Sequence, residues 1–334
     1  MIRVGIIGLG MMGRMHYANW GKVDGAEVVA VADSDPKRAA GDLADGWSNI
    51  EGGAKSLDMD RIAGTTDPHA LIAMENVDLV DVCVPTPFHA ELAAAALVGG
   101  KHCVCEKPMT RTIEQAREIV EAAEAAAGLL LPAMCMRFWP QWAWLKKAVE
   151  EGTYGKVMDA SFRRVGASPP GWFRNGEMSG GAILDLHLHD TDFVKYVFGM
   201  PAAVRSFGCK RFTGCVDQVI THYLYDDLPL VSAEGSWGMA DGFGFRMDYC
   251  VNFENATAEY LMPRDEPLVL YQDGEAKPVA FDEPDGYLAE LAYMVQCIET
   301  NQAPSVVTPA DALESLTIVE AERQSVETGE TVTL

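Results

Sequence analysis

Residues 2–13 read IRVGIIGLGMMG, an apolar, β-branched run that leads directly into three glycines. A buried strand followed by G-x-G-x-x-G predicts a tight turn into a helix and a dinucleotide-binding fold. Gly8 can make the turn, Gly10 lets the backbone approach a pyrophosphate, and Gly13 permits close packing of the helix on the strand. The N–H groups at the start of that helix suit phosphate oxygens. The cofactor contacts predicted in this segment are Gly8, Gly10, Met11, Met12 and Gly13.

The acidic residue Asp33 ends the next strand-like run, EVVAVAD, about 20 residues beyond the last glycine. A carboxylate at this position can accept hydrogen bonds from the ribose hydroxyls of NAD, and it repels the 2′-phosphate of NADP. Lys37 and Arg38 are basic and would attract the 2′-phosphate that Asp33 repels. Arg38 is therefore also a candidate cofactor contact. The alternative is a glycine turn without a ligand and an aspartate that only caps a helix. We expect NAD rather than NADP.

The order of the predicted elements changes near residue 135. Before that point, strand-like runs alternate with helical segments, which is typical of a parallel, doubly wound sheet. After it, runs such as KVMDASFRRV and CVDQVITHYLY follow one another through short turns, which is typical of an antiparallel sheet. We therefore predict an α/β fold, with a Rossmann domain over residues 1–132 and a second, mostly antiparallel domain over residues 133–334.

Composition excludes several classes of protein. The 334 residues include 49% hydrophobic and 22% charged residues, which is typical of a globular chain. A formal net charge of −23 argues against a nucleic-acid partner. No apolar run approaches the roughly 18 to 20 residues that span a bilayer, and the N-terminus has no signal-peptide pattern. The cysteines in apolar runs, Cys83, Cys103 and Cys105, are interpreted as reduced thiols. We expect a cytoplasmic protein without a membrane partner.

Two further motifs follow predicted strands of the first domain, PTPFH at residues 85–89 and EKP at residues 106–108. Ligands of an open parallel sheet bind beyond the carboxyl ends of its strands, which places both motifs at the cofactor crevice. The alternatives are turn-forming prolines, a histidine that caps the next helix, and a surface lysine paired with the neighbouring glutamate. The predicted cofactor contacts of these motifs are Pro85, Thr86, His89, Glu106 and Lys107.

The segment GGAILDLHLHD, residues 180–190, brings two aspartates and two histidines close together in the chain. The pattern predicts a helix over residues 183–198, ended by Gly199. In such a helix Asp185 and His189 lie one turn apart and only about 40° apart around the axis. They therefore form a candidate carboxylate–imidazole pair, although two polar residues at a helix edge are the plain alternative.

The other polar residues of that segment bear on a metal alternative. His187 points about 160° away from His189 in an α-helix, which disfavours a metal held by both histidines. Asp192 is placed to hold the ring of His189. We predict no metal site.

Taken together, these motifs resemble the Gfo/Idh/MocA family, the glucose–fructose oxidoreductase and inositol dehydrogenase group. The resemblance covers nearly the whole chain and rests on GLGMMG, VVAVADSDPKRA, PTPFHAELAAAAL, GKHCVCEKP, RFWP, GTYGKV and GGAILDLHLHD. It implies that Lys107 hydrogen-bonds the reacting hydroxyl, that His189 is the general acid/base, and that Asp185 binds and orients the substrate. Phe88 and His187 stand where the family often has asparagine and glycine, and both departures bear on the shape of the substrate pocket.

The resemblance also implies an architecture and an assembly. In the family, a Rossmann domain is followed by a substrate-binding domain built on a large, mostly antiparallel open sheet. That sheet commonly forms a dimer or tetramer interface, so residues 133–334 are expected to serve oligomerisation too. We expect a homodimer or a homotetramer.

The activity implied is that of an NAD(P)-dependent oxidoreductase acting on the CH–OH group of a sugar, an inositol or a related polyol. Imidazole exchanges protons near neutrality, and an ammonium stabilises a developing alkoxide. Three alternatives stay open. They are an NAD-dependent glycosidase or lyase that oxidises its substrate transiently, a non-enzymatic sugar or dinucleotide sensor, and a metal-dependent hydrolase centred on Asp185, His187 and His189. Only the hydrolase leaves the glycine run unexplained.

Other polar residues are candidates for substrate binding or for structure. Arg137, in MRFWP, could bind a substrate or form a structural ion pair. Arg163 and Arg164 adjoin in a predicted strand and point to opposite faces, and Arg163 is the candidate substrate contact. Trp172, in PPGWF, is either a pocket wall or core. His16, in the first helix, is expected to be structural.

Overall fold

The structure, a computed structural model, describes residues 1–44, 47–48, 52–228, 230–281 and 285–334. The chain divides into two compact units, Met1–Phe138 with Pro284–Leu313 and Trp139–Glu283 with Glu314–Leu334. No helix in the described ranges is long and apolar enough to cross a membrane.

The N-terminal part alternates strands and helices. Its elements are β1 (Ile2–Ile7), α1 (Met11–Trp20), β2 (Ala26–Ala32), α2 (Pro36–Ala39), β3 (Ala63–Thr65), α3 (Pro68–Ile72), β4 (Leu79–Val82), α4 (His89–Val98), β5 (His102–Glu106), α5 (Ile113–Ala125) and β6 (Leu130–Ala133). The six strands pair in the order β3-β2-β1-β4-β5-β6, and every pair is parallel. This confirms the predicted Rossmann sheet.

All strands of this sheet point the same way, so the segments that follow them meet at one edge. We call the segments after Ile7, Ala32, Val82 and Glu106 the carboxyl edge. The strands themselves are largely buried and mostly apolar, as expected for a parallel sheet covered on both faces. The edge therefore brings together backbone and polar side chains that are far apart in the chain.

The rest of the chain contains a larger sheet and further helices. Its elements are α6 (Pro140–Glu150), β7 (Val157–Ala167), α7 (Gly176–Ser179), α8 (Leu188–Phe198), β8 (Ala203–Lys210), β9 (Val216–Leu224), β10 (Val231–Met239), β11 (Arg246–Phe253), β12 (Thr257–Leu261), β13 (Leu268–Gln272), β14 (Glu275–Pro278), α9 (Gly286–Thr300), α10 (Pro309–Thr328) and β15 (Val332–Thr333). The nine strands have the order β14-β13-β12-β11-β7-β10-β9-β8-β15. The pair β7–β10 is parallel and the other pairs are antiparallel, as predicted.

An aromatic core fixes α6 and α8 on one face of this sheet. The indole of Trp142, on α6, makes edge contacts with Tyr249 and Tyr260 of the sheet and with Phe193 of α8. All four side chains are buried. We call the other face of the nine-stranded sheet the open face.

Helix α9 belongs to the first unit, where it packs against α1. The predicted boundary at residue 132 lies close to the observed one after Phe138. The predicted second domain is not contiguous, however, because residues 284–313 join the first unit. An amphipathic pattern shows that a helix has a buried face, but it does not show which core that face covers.

Candidate functional site

The glycine turn between β1 and α1 has the three features that the sequence predicts. Gly8 has a φ of +92°, a conformation that favours glycine. A Cβ on Gly13 would lie 1.8 Å from the Gly8 carbonyl oxygen, so α1 packs directly on the turn. A Cβ on Gly10 would meet no atom within 4 Å, which leaves open space beside the backbone where α1 begins. The turn therefore fits the pyrophosphate of a dinucleotide.

Asp33 follows β2 at the carboxyl edge, and its carboxylate is tied to the backbone. Its Oδ2 accepts a hydrogen bond from Leu9 N at 2.7 Å, and its Oδ1 accepts one from Asp35 N at 2.8 Å. A carboxylate has about four acceptor positions, so Asp33 can hold the glycine turn and still accept ribose hydroxyls. Arg38 Nη1 lies 3.9 Å from Asp33 Oδ2 and partly offsets the negative charge there.

A second cation near this position was not singled out from the sequence. The guanidinium of Arg14, directly after the last glycine, donates to the carbonyl oxygens of Leu43 and Trp47 at 3.3 and 3.2 Å. Burial lowers the pKa of Arg14, and the charge of Arg38 lowers it further. Arg14 thus anchors a loop to α1 and adds positive potential beside Arg38.

The PTPFH motif forms a 3-10 turn over Thr86–Phe88 that leads into α4. Thr86 is buried, and His89 is buried and bonded on both sides of its ring. His89 Nδ1 lies 2.7 Å from the Pro108 carbonyl oxygen, and Nε2 lies 2.7 Å from that of Val84. Burial lowers the pKa of His89, and the two carbonyl contacts oppose that effect. His89 therefore ties the segment after β4 to the segment after β5, and its contact with a cofactor stays a prediction.

The EKP motif lies where the sequence predicts, at the end of β5. Glu106 is buried, its Oε2 accepts a hydrogen bond from Lys107 N at 3.0 Å, and the Lys107–Pro108 peptide bond is cis. Lys107 is half-buried. The strand end thus holds the lysine backbone at the carboxyl edge.

Beneath this motif lies a group of buried ionisable side chains that sequence reasoning missed. His16, expected only to be structural, contacts Asp81 of β4 and Glu106, with Cys83 and Glu290 beside it. The five residues come from α1, from β4 and the residue after it, from β5 and from α9, four segments that are far apart in the chain. No local motif signals their meeting, because only the fold brings these elements together.

The segment GGAILDLHLHD does form a helix over the predicted span, but its first turn differs. Ile183–His187 is a π-helical turn that continues directly into α8, which ends at Gly199 with φ +82°. Bonds of the i→i+5 type widen this turn, so the ideal α-helical angle between Asp185 and His189 does not apply. Asp185 is buried and His189 is half-buried. Such turns occur frequently at functional sites.

The side chain of His187 lies in a buried polar network of the second unit. His187 is fully buried, with Nε2 3.5 Å from Glu322 Oε2 of α10 and 3.4 Å from the Tyr223 hydroxyl oxygen. Thr191 joins the same network, since its Oγ1 donates to Glu322 Oε1 at 3.0 Å. Gly235 of β10 allows this close packing, because a Cβ there would lie 2.6 Å from His187 Cβ. His187 is thus part of the core of the second unit.

The paired arginines of β7 point to opposite faces, as predicted. Arg164 is buried and donates from Nε and Nη2 to the two carboxylate oxygens of Asp190 on α8, at 2.9 and 3.2 Å. Arg163 lies on the open face and pairs with Glu234 at 2.8 Å. The arginine that contacts α8 is therefore Arg164, not the substrate candidate Arg163.

Two further candidates have mainly structural contacts. Arg137 is 3% exposed, and its Nη1 donates to the Val306 carbonyl oxygen at 2.8 Å and lies 3.5 Å from Asp311 Oδ2. These contacts match the structural ion pair. Trp172 is half-buried and stacks on Phe173, which contacts Trp237 edge-on.

The carboxylate of Asp192, predicted to hold the ring of His189, accepts a hydrogen bond at Oδ1 from Ser315 at 2.8 Å. Among the described residues, two groups have metal-ligand spacing, and both contain His16. They are His16 with Asp81 and Cys83, and His16 with Glu106 and Glu290. The histidines and aspartates of residues 180–190 are in neither.

Comparison with known proteins decides the family. Residues 2–133 match the GFO/IDH/MocA oxidoreductase family, NAD-binding Rossmann fold, and residues 142–259 match the GFO/IDH/MocA C-terminal domain. The chain belongs to the Gfo/Idh/MocA family. It is an NAD-binding Rossmann protein of an oxidoreductase family, as the motifs predicted.

Several relatives are named as dehydrogenases of inositols or sugars. The chain is 32% identical over 200 residues to myo-inositol 2-dehydrogenase of Thermotoga maritima, an alignment that spans 59% of this chain and 55% of that protein. It is 25% identical over 347 residues to scyllo-inositol 2-dehydrogenase (NAD(+)) of Bacillus subtilis, which covers 100% and 96% of the two chains. A levoglucosan dehydrogenase solved with NADH and levoglucosan has a TM-score of 0.86, 20% identity and 99% coverage of both chains. The last likeness shows the fold alone.

Proposed function

We propose that this protein is an NAD-dependent dehydrogenase that interconverts a secondary alcohol and a ketone on an inositol, a sugar or a related polyol. The observation that carries the proposal is the carboxyl edge of the six-stranded sheet. There the open glycine turn, Asp33 and Lys107 follow β1, β2 and β5. Family membership and the names of the relatives support the substrate class.

The residues at this edge fit the cofactor. The N–H groups of the glycine turn and of the first turn of α1 would hold the pyrophosphate, since nothing occupies the space beside Gly10. Asp33 would accept the ribose hydroxyls, and its charge disfavours a 2′-phosphate. When bound, NAD supplies the hydride acceptor.

The side chains of the protein would manage the proton and the charge on the reacting oxygen. We assign the general acid/base role to the His189 imidazole, because imidazole exchanges protons near neutrality. The Lys107 ammonium would stabilise the developing alkoxide, and the Asp185 carboxylate would orient the substrate. Arg164 and Asp190 form a buried, two-bond ion pair that holds α8 on the sheet.

A nucleotide and substrate screen tests the proposal. The nucleotide released from the purified protein by denaturation is identified by mass spectrometry, and inositols and sugars are then screened with NAD and NADP by NADH or NADPH absorbance. We expect bound NAD(H) and reduction of NAD with at least one polyol. Bound NAD(H) with chemical conversion but no net reduction would favour transient oxidation. Binding without any conversion would favour a sensor and contradict the proposal.

A further inference from the structure

The buried ionisable group of the first unit is centred on His16. The ring of His16 has no exposed surface and lies between two carboxylates. Its Nδ1 is 2.9 Å from Asp81 Oδ2, and its Nε2 is 3.1 Å from Glu106 Oε1. The Asp81 contact is a hydrogen bond, whereas the Glu106 contact is a close ion-pair distance without hydrogen-bond geometry.

This geometry favours the charged form of the ring. A carboxylate oxygen lies close to each of the two ring nitrogens, and this arrangement stabilises an imidazolium. A buried charge requires such pairing. A metal ion would replace only one of the two contacts, since the nitrogens point in opposite directions. Burial would lower the pKa of His16, but the charge and the hydrogen bonds of Asp81 raise it well above the ordinary value.

The remaining groups around the ring are consistent with this assignment. Glu290 Oε1, from α9, lies 4.0 Å from His16 Nε2, and burial raises the pKa of Glu290 well above the ordinary value. Burial also raises the pKa of Cys83, so its thiol stays neutral. Trp20 Nε1 donates to Asp81 Oδ2 at 2.7 Å and fixes that carboxylate. The charged chain is thus Asp81, His16 and Glu106.

The far end of that chain is the EKP motif. Glu106 Oε1 faces His16, while Glu106 Oε2 accepts the hydrogen bond of Lys107 N. His16 is on α1, whose first turn begins at the open glycine turn. We propose that His16, as an imidazolium between Asp81 and Glu106, is a positioning residue that locks the Lys107 backbone and couples it to the cofactor-binding helix.

The proposal predicts in which direction the chain responds to pH. Because the charge and the hydrogen bonds of Asp81 favour the charged ring, the chain is complete at neutral pH. It loses the positive charge of His16 as the pH rises through the raised pKa of that ring. The titratable groups that face the ring are Asp81 of β4, Cys83 directly after β4, Glu106 of β5 and Glu290 of α9.

The test uses the NADH-bound protein and three variants, His16→Asn, Glu106→Gln and the matched control Glu290→Gln. Glu290 lies beside the same ring but outside the charged chain, and the change to glutamine keeps its size. The first readout is ¹⁵N NMR of the labelled histidines, with His16 identified by its absence in the variant. We expect both ring nitrogens of His16 to carry protons at pH 8. A ring with one protonated nitrogen, or stoichiometric metal found by elemental analysis, would overturn the proposal.

The second readout is hydrogen exchange of the Lys107 amide, which requires no turnover. Losing a hydrogen bond to a charged acceptor should raise its exchange rate by about tenfold or more in His16→Asn and Glu106→Gln, and not in Glu290→Gln. Equal rates in all proteins would show that the chain does not position the lysine. If one variant fails to fold, the NMR spectrum of His16 in the wild type and the Lys107 exchange rate in the other variant still test the proposal.

The third readout is kinetic and rests on the proposed dehydrogenase function. We expect kcat to fall on the order of 10²-fold in His16→Asn, with KM and the NADH Kd little changed, because a misplaced catalytic group lowers turnover more than binding. An equal fall in Glu290→Gln would reduce His16 to a structural role. If the wild type shows no dehydrogenase activity, the proposed function fails, while the NMR and exchange readouts still decide the role of His16.

Discussion

Lys107 lies at the carboxyl edge. In the proposed chemistry its ammonium group stabilises the negative charge of the reacting oxygen. Its backbone N–H is bonded to Glu106, so the side chain starts from a fixed strand end. The EKP motif made this position predictable, because a strand end in a parallel sheet faces the ligand crevice.

We predict that Lys107→Met lowers turnover by roughly 10² to 10⁴ while folding and NAD binding persist, the scale expected for loss of one polarising or acid–base group. Steady-state kinetics and NADH fluorescence titration measure the two effects. Lys147→Met, which removes an exposed lysine of α6, is the control. Wild-type turnover in the Lys107 variant would remove the lysine from the mechanism, and loss of NAD binding would make it a cofactor ligand.

Asp33 carries the predicted preference for NAD, and Arg38 opposes it from 3.9 Å. We predict that the wild type binds NADH more tightly than NADPH. Asp33→Ala should lower the ratio of the NADPH Kd to the NADH Kd, and Arg38→Ala should raise it. Since Asp33 also holds Leu9 N, its variant should bind both nucleotides more weakly. Fluorescence titrations with both nucleotides measure the ratio. Tighter NADPH binding by the wild type would show that Arg38 and Arg14 dominate.

The limit of sequence reasoning at this scale is seen in His16. Gly8, Asp33 and Lys107 belong to local motifs whose context, a strand followed by a turn, can be read along the chain. The partners of His16 follow no such spacing. A buried ion network depends on which helices and strands meet, and that information is absent from any one segment.

At the scale of elements, the helix at residues 183–198 shows what periodicity can and cannot predict. The apolar stripe of Leu186, Phe193 and Val197 is buried, as the pattern indicates. The π-helical turn at its start was not predicted. A change from i→i+4 to i→i+5 bonding alters the register without altering which residue types are apolar.

The open face of β7, β10 and β11 holds three charged neighbours, Arg163, Glu234 and Asp248. Burial raises the pKa of Asp248 to about 6, although the charge of Arg163 opposes this. The folded-state pKa lies above the unfolded value of about 3.9, so this contribution to stability is present below pH 4 and is lost as the pH rises through 6.

We therefore predict that Asp248→Asn raises the Tm at pH 7 to 8 and has little effect near pH 4. Thermal unfolding across this range measures the difference. Asp241→Asn, which removes the same charge from an exposed turn, is the control and should not show this pH dependence. A Tm gain for Asp248→Asn that is independent of pH would contradict the assigned cause.

At the scale of the molecule, the sequence predicted two sheets of the correct kinds but not the path of the chain between the two units. The apolar pattern of a strand indicates whether its sheet is parallel or antiparallel. Strands of parallel sheets are buried on two faces, whereas strands of antiparallel sheets are often buried on one. The sequence pattern of helix α9 does not show which unit it joins. In the structure α9 packs against α1, with Glu290 Oε1 4.0 Å from His16 Nε2.

The open face of the nine-stranded sheet is the expected interface between copies. Phe207 and Ile220 are cross-strand partners there and are 58% and 46% exposed. Apolar patches of this kind are rarely left uncovered. We predict a dimer or tetramer by light scattering, and dissociation by Ile220→Arg. Val98→Arg, at an exposed apolar residue of α4, is the control and should leave the assembly intact. A monomeric wild type would contradict the interface.

The most direct test of the proposed chemistry follows one deuterium atom. Inositols and sugars deuterated at carbon are mixed with the protein and NAD, the reaction is quenched within the first turnover, and the cofactor is analysed by mass spectrometry. We predict that a reactive polyol transfers one deuterium to the cofactor in the wild type and in any His187→Ala that folds, and far more slowly in His189→Ala. Conversion of a polyol with no deuterium in the cofactor, or undiminished transfer by His189→Ala, would contradict hydride transfer with His189 as the acid/base.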